Sequence, residues 1–174
     1  MNFFKVAIVV VISIGVAGAI YGLKNNATEV EQKKMASSLV ENERSALLPL
    51  AKADDMEAMY KLGISFAQPS DIQDYEQARF WLKKAALLNH AKAQYYLGYM
   101  YAHGDGVEID AGEATVWFWL AASNEERASR RYLKLMANTG DPEELQKARV
   151  RASEIWANMP NKDINKNKSA LKYH

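Results

Sequence analysis

The side chains able to do chemistry in this sequence are few. There is no cysteine, which removes disulfides, thiolate zinc sites, cysteine nucleophiles and a lipidated N-terminal cysteine. Only three histidines occur, His90, His103 and the terminal His174. His103 shares a glycine-rich stretch with Asp105, which suggests a metal, but two ligands on one loop are too few to hold one. Gly63-Ile64-Ser65-Phe66-Ala67 has the outline of a nucleophile elbow, yet it ends in alanine and falls inside a helical pattern. His90 lies where two helical patterns meet and reads as a helix cap. No nucleophile with its base and no pair of carboxylates emerges. The expectation is therefore a chain that is not an enzyme, with no cofactor, no metal and no small-molecule substrate. With 22 basic against 21 acidic residues the net charge is +1, which leaves no electrostatic footprint for nucleic acid.

What must position such side chains is a set of helices. Proline is scarce, alanine is abundant and 49% of the residues are hydrophobic, enough for a core. Two blocks recur. Ala58-Met59-Tyr60-Lys61-Leu62-Gly63 matches Ala93-Gln94-Tyr95-Tyr96-Leu97-Gly98 at an offset of 35, and Phe66 matches Tyr101. Ala78-x-x-Trp81-x-x-x-Ala85-Ala86 matches Ala114-x-x-Trp117-x-x-x-Ala121-Ala122 at an offset of 36. The extra residue falls in the connecting loop, where insertions cost little. Ala58, Leu62 and Phe66 fall on one helical face, as do Ala93, Leu97 and Tyr101. Each unit reads as helix, loop and antiparallel helix, and one such pair cannot bury its own face, so pairs must stack. Asp74 and Asp110 are placed to cap the second helices, and Gly104 and Gly106 to turn the chain before the later one. The pattern predicts helices near 55–67, 75–88, 91–102, 111–122, 126–138 and 142–158, with Trp81 and Trp117 in the core opposite Leu62 and Leu97.

The string Ala93-x-x-x-Leu97-Gly98-x-x-Tyr101-x-x-Gly104-x-Gly106-Val107-x-x-Asp110-x-x-x-Ala114-x-x-Trp117-x-x-x-Ala121-Ala122 resembles the Sel-1-like repeat, a relative of the tetratricopeptide repeat. Residues 55–89 are similar to a more degenerate copy without the Gly-x-Gly-Val loop. Residues 125–158 are similar to a terminal unit whose second helix opens with Asp141-Pro142. The resemblance implies an all-α fold, a right-handed α-solenoid of antiparallel helix pairs over 55–159, serving as a scaffold or adaptor for a protein or peptide.

The flanks are of other kinds. Residues 1–24 read as a signal peptide or a transmembrane signal anchor. Lys5 precedes an uncharged run from Val6 to Leu23, close to the roughly 20 residues that span a bilayer. Ala17-Gly18-Ala19 offers a cleavage site, and Gly18 and Gly22 offer a close-packing face if the segment stays. Residues 25–54 read as a helical linker or N-terminal cap, and residues 160–174 as a disordered, Asn- and Lys-rich tail. A cysteine-free exported chain points to a bacterial cell envelope, inner-membrane anchored or periplasmic. The membrane contact would run through residues 6–23 if uncleaved, and the partner would be an envelope protein or peptide. A membrane-anchored structural component and an envelope hydrolase are the competing roles.

One anomaly points to a surface. Trp81-Leu82-Lys83-Lys84 of the first unit becomes Trp117-Phe118-Trp119-Leu120 in the second, so two lysines give way to Trp and Leu. Either neighbouring helices cover this helix on all sides, or Trp119 shares an exposed partner-binding patch with Tyr96 or Tyr99.

Overall fold

The computed structural model describes residues 3–69, 72–124 and 127–160, with side chains from residue 28 onward. Among these residues there are seven helices and no strands: α1 (Phe3–Lys52), α2 (Met56–Ala67), α3 (Tyr75–Leu87), α4 (Ala91–His103), α5 (Ala111–Ser123), α6 (Arg127–Thr139) and α7 (Pro142–Ala157). The six helices expected after residue 54 are all present. The chain divides into two units between Asn42 and Glu43.

The N-terminal unit is the first part of α1. Its described side chains are mostly solvated: Val30, Met35 and Leu39 are exposed, and Lys33 pairs with Glu29 across one helical turn. Among the described residues no helix is long and apolar enough to cross a membrane. The side chains of the expected export or anchor segment, residues 6–23, lie outside those described, as does the tail from residue 161.

The second unit holds the repeats. Helices α2, α3, α4, α5 and α7 start where a side chain satisfies a free N–H group of the first turn. Asp55, Asp74, Asp110 and Asp141 accept from the backbone N–H groups of Ala58, Gln77, Glu113 and Glu143. His90 does the same for α4 through Nδ1, which accepts from the Ala93 N–H at 3.1 Å. Helix α4 ends on Gly104 at φ 80°, a conformation open to glycine at no steric cost, with its N–H returned to the Met100 carbonyl.

Helices α2–α3 and α4–α5 form the two closely packed hairpins. The closeness depends on one position. A Cβ added to Gly63 would lie 2.7 Å from Leu82 Cγ, and one added to Gly98 would lie 3.0 Å from the Phe118 ring. Leu62, Leu82, Leu97, Trp81 (6% exposed) and Trp117 (4% exposed) share one continuous core, in which Ala58, Ala78, Ala85, Ala86 and Ala93 let the helices approach. The tryptophans thus take the equivalent buried places expected of them.

The last ten residues of α1 act as half a repeat. At the same offset of 35, Arg44 corresponds to Arg79, Leu47 to Leu82, Ala51 to Ala86, Asp54 to Asn89 and Asp55 to His90. Ala51 and Ala86 are both fully buried. Asp54 and Asn89 both take a positive φ, 64° and 74°, where their helices end. The capping residue of the next helix follows each of them. Arg44 is buried and holds the first loop: Nη1 donates to the Ile72 carbonyl at 3.0 Å, Nη2 to the Ser65 carbonyl at 2.7 Å, and the guanidinium lies 4.0 Å from the Phe66 ring centroid. This loop lacks the glycine turn of the second repeat, and side chains shape it instead. Both loops close alike, with Asp74 N–H on the Phe66 carbonyl and Asp110 N–H on the Tyr101 carbonyl, each at 2.9 Å.

Helices α6 and α7 depart from this plan. Ser129 stands where the second repeat has Ala93, and Leu133 where it has Leu97, at an offset of 36. The next position, glycine in both earlier units, is Lys134. The notch is gone, and the hairpin does not close: α7 packs along α5 and makes few contacts with α6. Ala148 and Ala152 are the buried residues of α7, Arg151 pairs with Glu113 of α5, and Met159 is buried with its Sδ 3.6 Å from Gln94 Nε2.

Candidate protein-interaction surfaces

The polar side chains that the sequence offers for chemistry are occupied by structure. In His90 the cap leaves Nδ1 as acceptor, so Nε2 carries the proton and donates to Glu57 Oε2 at 3.1 Å. Its ring stacks on Tyr60 at 4.5 Å. The hydrogen bond from His90, with Lys61 beside it, holds the Glu57 carboxyl below the usual range against the opposing effect of desolvation. Ser65 is buried within α2, and its hydroxyl donates to the Leu62 carbonyl at 2.8 Å. Gln94, fully buried, donates to the Ala86 carbonyl and to Asn89 Oδ1, while Asn124 donates to both Asn89 and Gln94. These bonds join successive repeats. Among the described residues no three His, Asp or Glu side chains converge on a metal-sized site.

Tyr96, Tyr99 and Trp119 are found in three different settings. Tyr96 is half-buried on α4, 6.1 Å from Tyr60 and 5.5 Å from Tyr95. Tyr99, one turn further, is 39% exposed and stacks on exposed His103 at 3.9 Å. His103 Nδ1 lies 3.0 Å from the Tyr99 carbonyl. Tyr99 and His103 form an aromatic pair in solvent, while Leu97, Gly98 and Met100 of the same helix are buried.

Trp119 is half-buried on the side of α5 that faces α7. Its Nε1 is enclosed without a hydrogen-bond partner among the described residues. The Arg149 guanidinium lies 5.8 Å from its ring centroid. Trp119 also lines a half-open cavity of ≈ 220 Å³ with Leu120, Ser123, Arg149, Ala152 and Trp156. Tyr96 and Trp119 are half-buried and Tyr99 is exposed, and no ring contact joins Trp119 to either tyrosine among the described residues. The two lysines lost from the first repeat are accounted for by packing. Leu120 is buried and Trp119 meets α7, while Phe118, in the place of Leu82, meets Tyr95 of α4 at 5.6 Å and Tyr132 of α6 at 4.1 Å. Helix α5 is apolar nearly all round because α4, α6 and α7 all pack on it. Burial pushes the Tyr132 phenol up in pKa, with a hydrogen bond to Thr115 opposing the shift.

One exposed surface escaped the sequence reading, the basic face of α6. Arg127, Arg130, Arg131 and Lys134 are all exposed there, and the helix contains no acidic residue. The signal was present as four cations within eight residues, hidden by a near-neutral chain total.

Comparison with known proteins matches this geometry. The Sel1 repeat family model matches residues 57–90 and 91–126, so each match covers one tight hairpin. The chain is 39% identical over 70 residues to the chitin synthase regulator SKT5 of Saccharomyces cerevisiae, covering 40% of this chain and 10% of that protein. It is 36% identical over 84 residues to the chitin synthase regulator SKT5 of Malassezia restricta, covering 48% of this chain and 6% of that protein. It thus spans a tenth or less of the length of these fungal relatives. Among solved structures it resembles a protective antigen of uropathogenic Escherichia coli strains that displays an SLR fold, with a TM-score of 0.64 and 23% identity over 75% of this chain and 28% of that one. That likeness is one of fold. The chain carries two Sel1 repeats, at residues 57–90 and 91–126.

Proposed function

We propose that this protein is an envelope-located adaptor that binds a protein or peptide partner on the exposed surface of α4. The Sel1-repeat fold is that of a helical-repeat protein of the interaction type. The observation that carries the finer reading is the Tyr99–His103 pair, two aromatic rings stacked in solvent on the best-formed repeat. Aromatic side chains of this kind are enriched among the residues that dominate binding energy at interfaces. The polar groups that could have served catalysis are instead committed to caps and to joints between repeats. The fungal relatives are named as regulators of an enzyme, which suits a chain that acts through a partner.

The envelope location rests on the sequence of residues 6–23, uncharged between Lys5 and Lys24, and on the absence of cysteine. On this reading the segment exports or anchors the chain, and the repeats face away from the cytoplasm. A reporter fused after residue 174 and active only outside the cytoplasm is expected to be active. Cytoplasmic fluorescence from a soluble, uncleaved fusion would remove the envelope from the proposal.

The binding surface is tested by affinity capture with the full chain from membrane and envelope extract. A protein retained by the wild type is expected to be lost from the Tyr99→Ala/His103→Ala variant, with the helical circular dichroism unchanged. Equal retention by both would place the site away from α4.

A further inference from the structure

The register of the repeats says which face of α6 lacks a neighbour. The aligned units place equivalent residues of α4 and α6 at an offset of 36, and buried Ser129 of α6 stands where buried Ala93 stands in α4. In α4, Gln94 is fully buried between repeats and Gly98 is buried against Phe118 of α5. Their counterparts in α6 are Arg130 and Lys134, and both are exposed. Arg127 and Arg131 flank them on the same side. The face that α4 buries is therefore, in α6, a basic and uncovered one. Its hairpin partner is elsewhere, because α7 lies along α5.

Three features define the setting of these cations. Some surface cations elsewhere are ion-paired, Lys33 with Glu29, Lys61 with Glu57, Lys147 with Glu143 and Glu144, and Arg151 with Glu113, while exposed Lys34, Lys52, Lys83 and Lys92 have no such pair among the described residues. None of Arg127, Arg130, Arg131 and Lys134 has such a partner among the described residues, and α6 has no acid of its own to supply one. The opposite side of α6 is already engaged, with Ser129 buried and Tyr132 against Phe118. The residues after Pro160 carry Lys162, Lys166, Lys168 and Lys172 against the single acid Asp163, so charge disfavours the chain's own tail as the occupant.

We propose that this face receives an acidic segment of the protein partner, lying along α6 on the side that a second repeat helix covers in α4. The inference rests on the partner-binding reading above and adds the chemistry of what is bound. Complementary charge at such a surface gives specificity and a fast, salt-dependent encounter. Leu135, 56% exposed at the margin of the face, adds one apolar contact. A single marginal leucine is a poor wedge for a bilayer, which favours a peptide over a lipid surface.

The test is fluorescence anisotropy with the full chain and a labelled peptide built of repeated Leu-Glu-Glu-Ala. A matched peptide with Lys in place of Glu and vesicles of phosphatidylglycerol with phosphatidylcholine complete the set. The acidic peptide is expected to bind, with affinity falling as salt rises, and the lysine peptide is not. The Arg130→Glu/Lys134→Glu variant is expected to bind the acidic peptide about tenfold or more weakly. Both positions are exposed, so the variant should keep its circular dichroism and its melting temperature; the milder Arg130→Gln/Lys134→Gln should fall between. Equal binding by variant and wild type, or no binding by the wild type, overturns the proposal. Binding of the anionic vesicles but not the peptide, lost in the same variant, overturns it in favour of a lipid surface. Because the Tyr99 and His103 capture is a separate assay, its failure with peptide binding intact would remove only the α4 surface.

Discussion

The hairpins α2–α3 and α4–α5 and the pair α6–α7 contain the same number of helices joined by short connections, yet they pack differently. The first two close on Gly63 and Gly98, where no side chain stands between the helices. In the third, Lys134 fills the corresponding position and α7 lies on α5 instead. The closed hairpins combine glycine at this register with seven-residue loops, 68–74 and 104–110, whereas the third pair has lysine there and only Gly140 and Asp141 between its helices. The family match ends at residue 126, where this change begins.

The comparison can be broken most severely at its core. Trp117→Ala removes the buried tryptophan of the second hairpin and should cost roughly 3–5 kcal/mol, read as a lower denaturant midpoint. An unchanged midpoint would mean the ring is not part of the core.

The notch comes next. Gly63→Val places methyl groups against Leu82, already 2.7 Å from a bare Cβ, and should cost roughly 1–3 kcal/mol. Lys134→Ala, at the equivalent exposed place, should stay within about 0.5 kcal/mol. Equal costs at the two positions would show that the hairpins do not differ in the way the register indicates.

The helix order from Met56 onward is legible in the sequence because caps punctuate it: Asp74, Asp110 and Asp141-Pro142 each open a helix, and Gly104 closes one. The half repeat at the end of α1 was not read. Its markers, Arg44 with Arg79 and Ala51 with Ala86, are at the right offset, but Ala46 stands where the repeats have their conspicuous tryptophan. Trp119 was legible only as a choice between cover and exposure. That choice depends on α7 packing along α5 rather than α6, a tertiary arrangement that local pattern does not encode. The basic face of α6 was hidden for the same reason, since in a closed hairpin those positions would be covered.

Smaller effects sharpen the picture at the joints. Glu57 is held below its ordinary pKa in the folded state by His90 and Lys61. Its contribution is present above the unfolded carboxylate value and is lost as pH falls through the lower folded value. The acid limb of the melting temperature against pH should therefore be shallower in Glu57→Gln than in the wild type, and identical limbs would show the bond has no energetic weight. Arg151→Ala cuts the ion pair to Glu113 that helps hold α7 on α5. Arg151 is mostly exposed, so the loss should be at most about 1 kcal/mol, measured by chemical denaturation.

This solenoid is proposed to act by presenting helix surfaces to a partner. Hydrogen–deuterium exchange of the full chain, alone and with its captured partner, tests that claim most directly. Binding should slow exchange in Ala91–His103 and Arg127–Thr139, with the helices that lie away from these faces unchanged. Slowing confined to α3 or α7, or none at all, would contradict it.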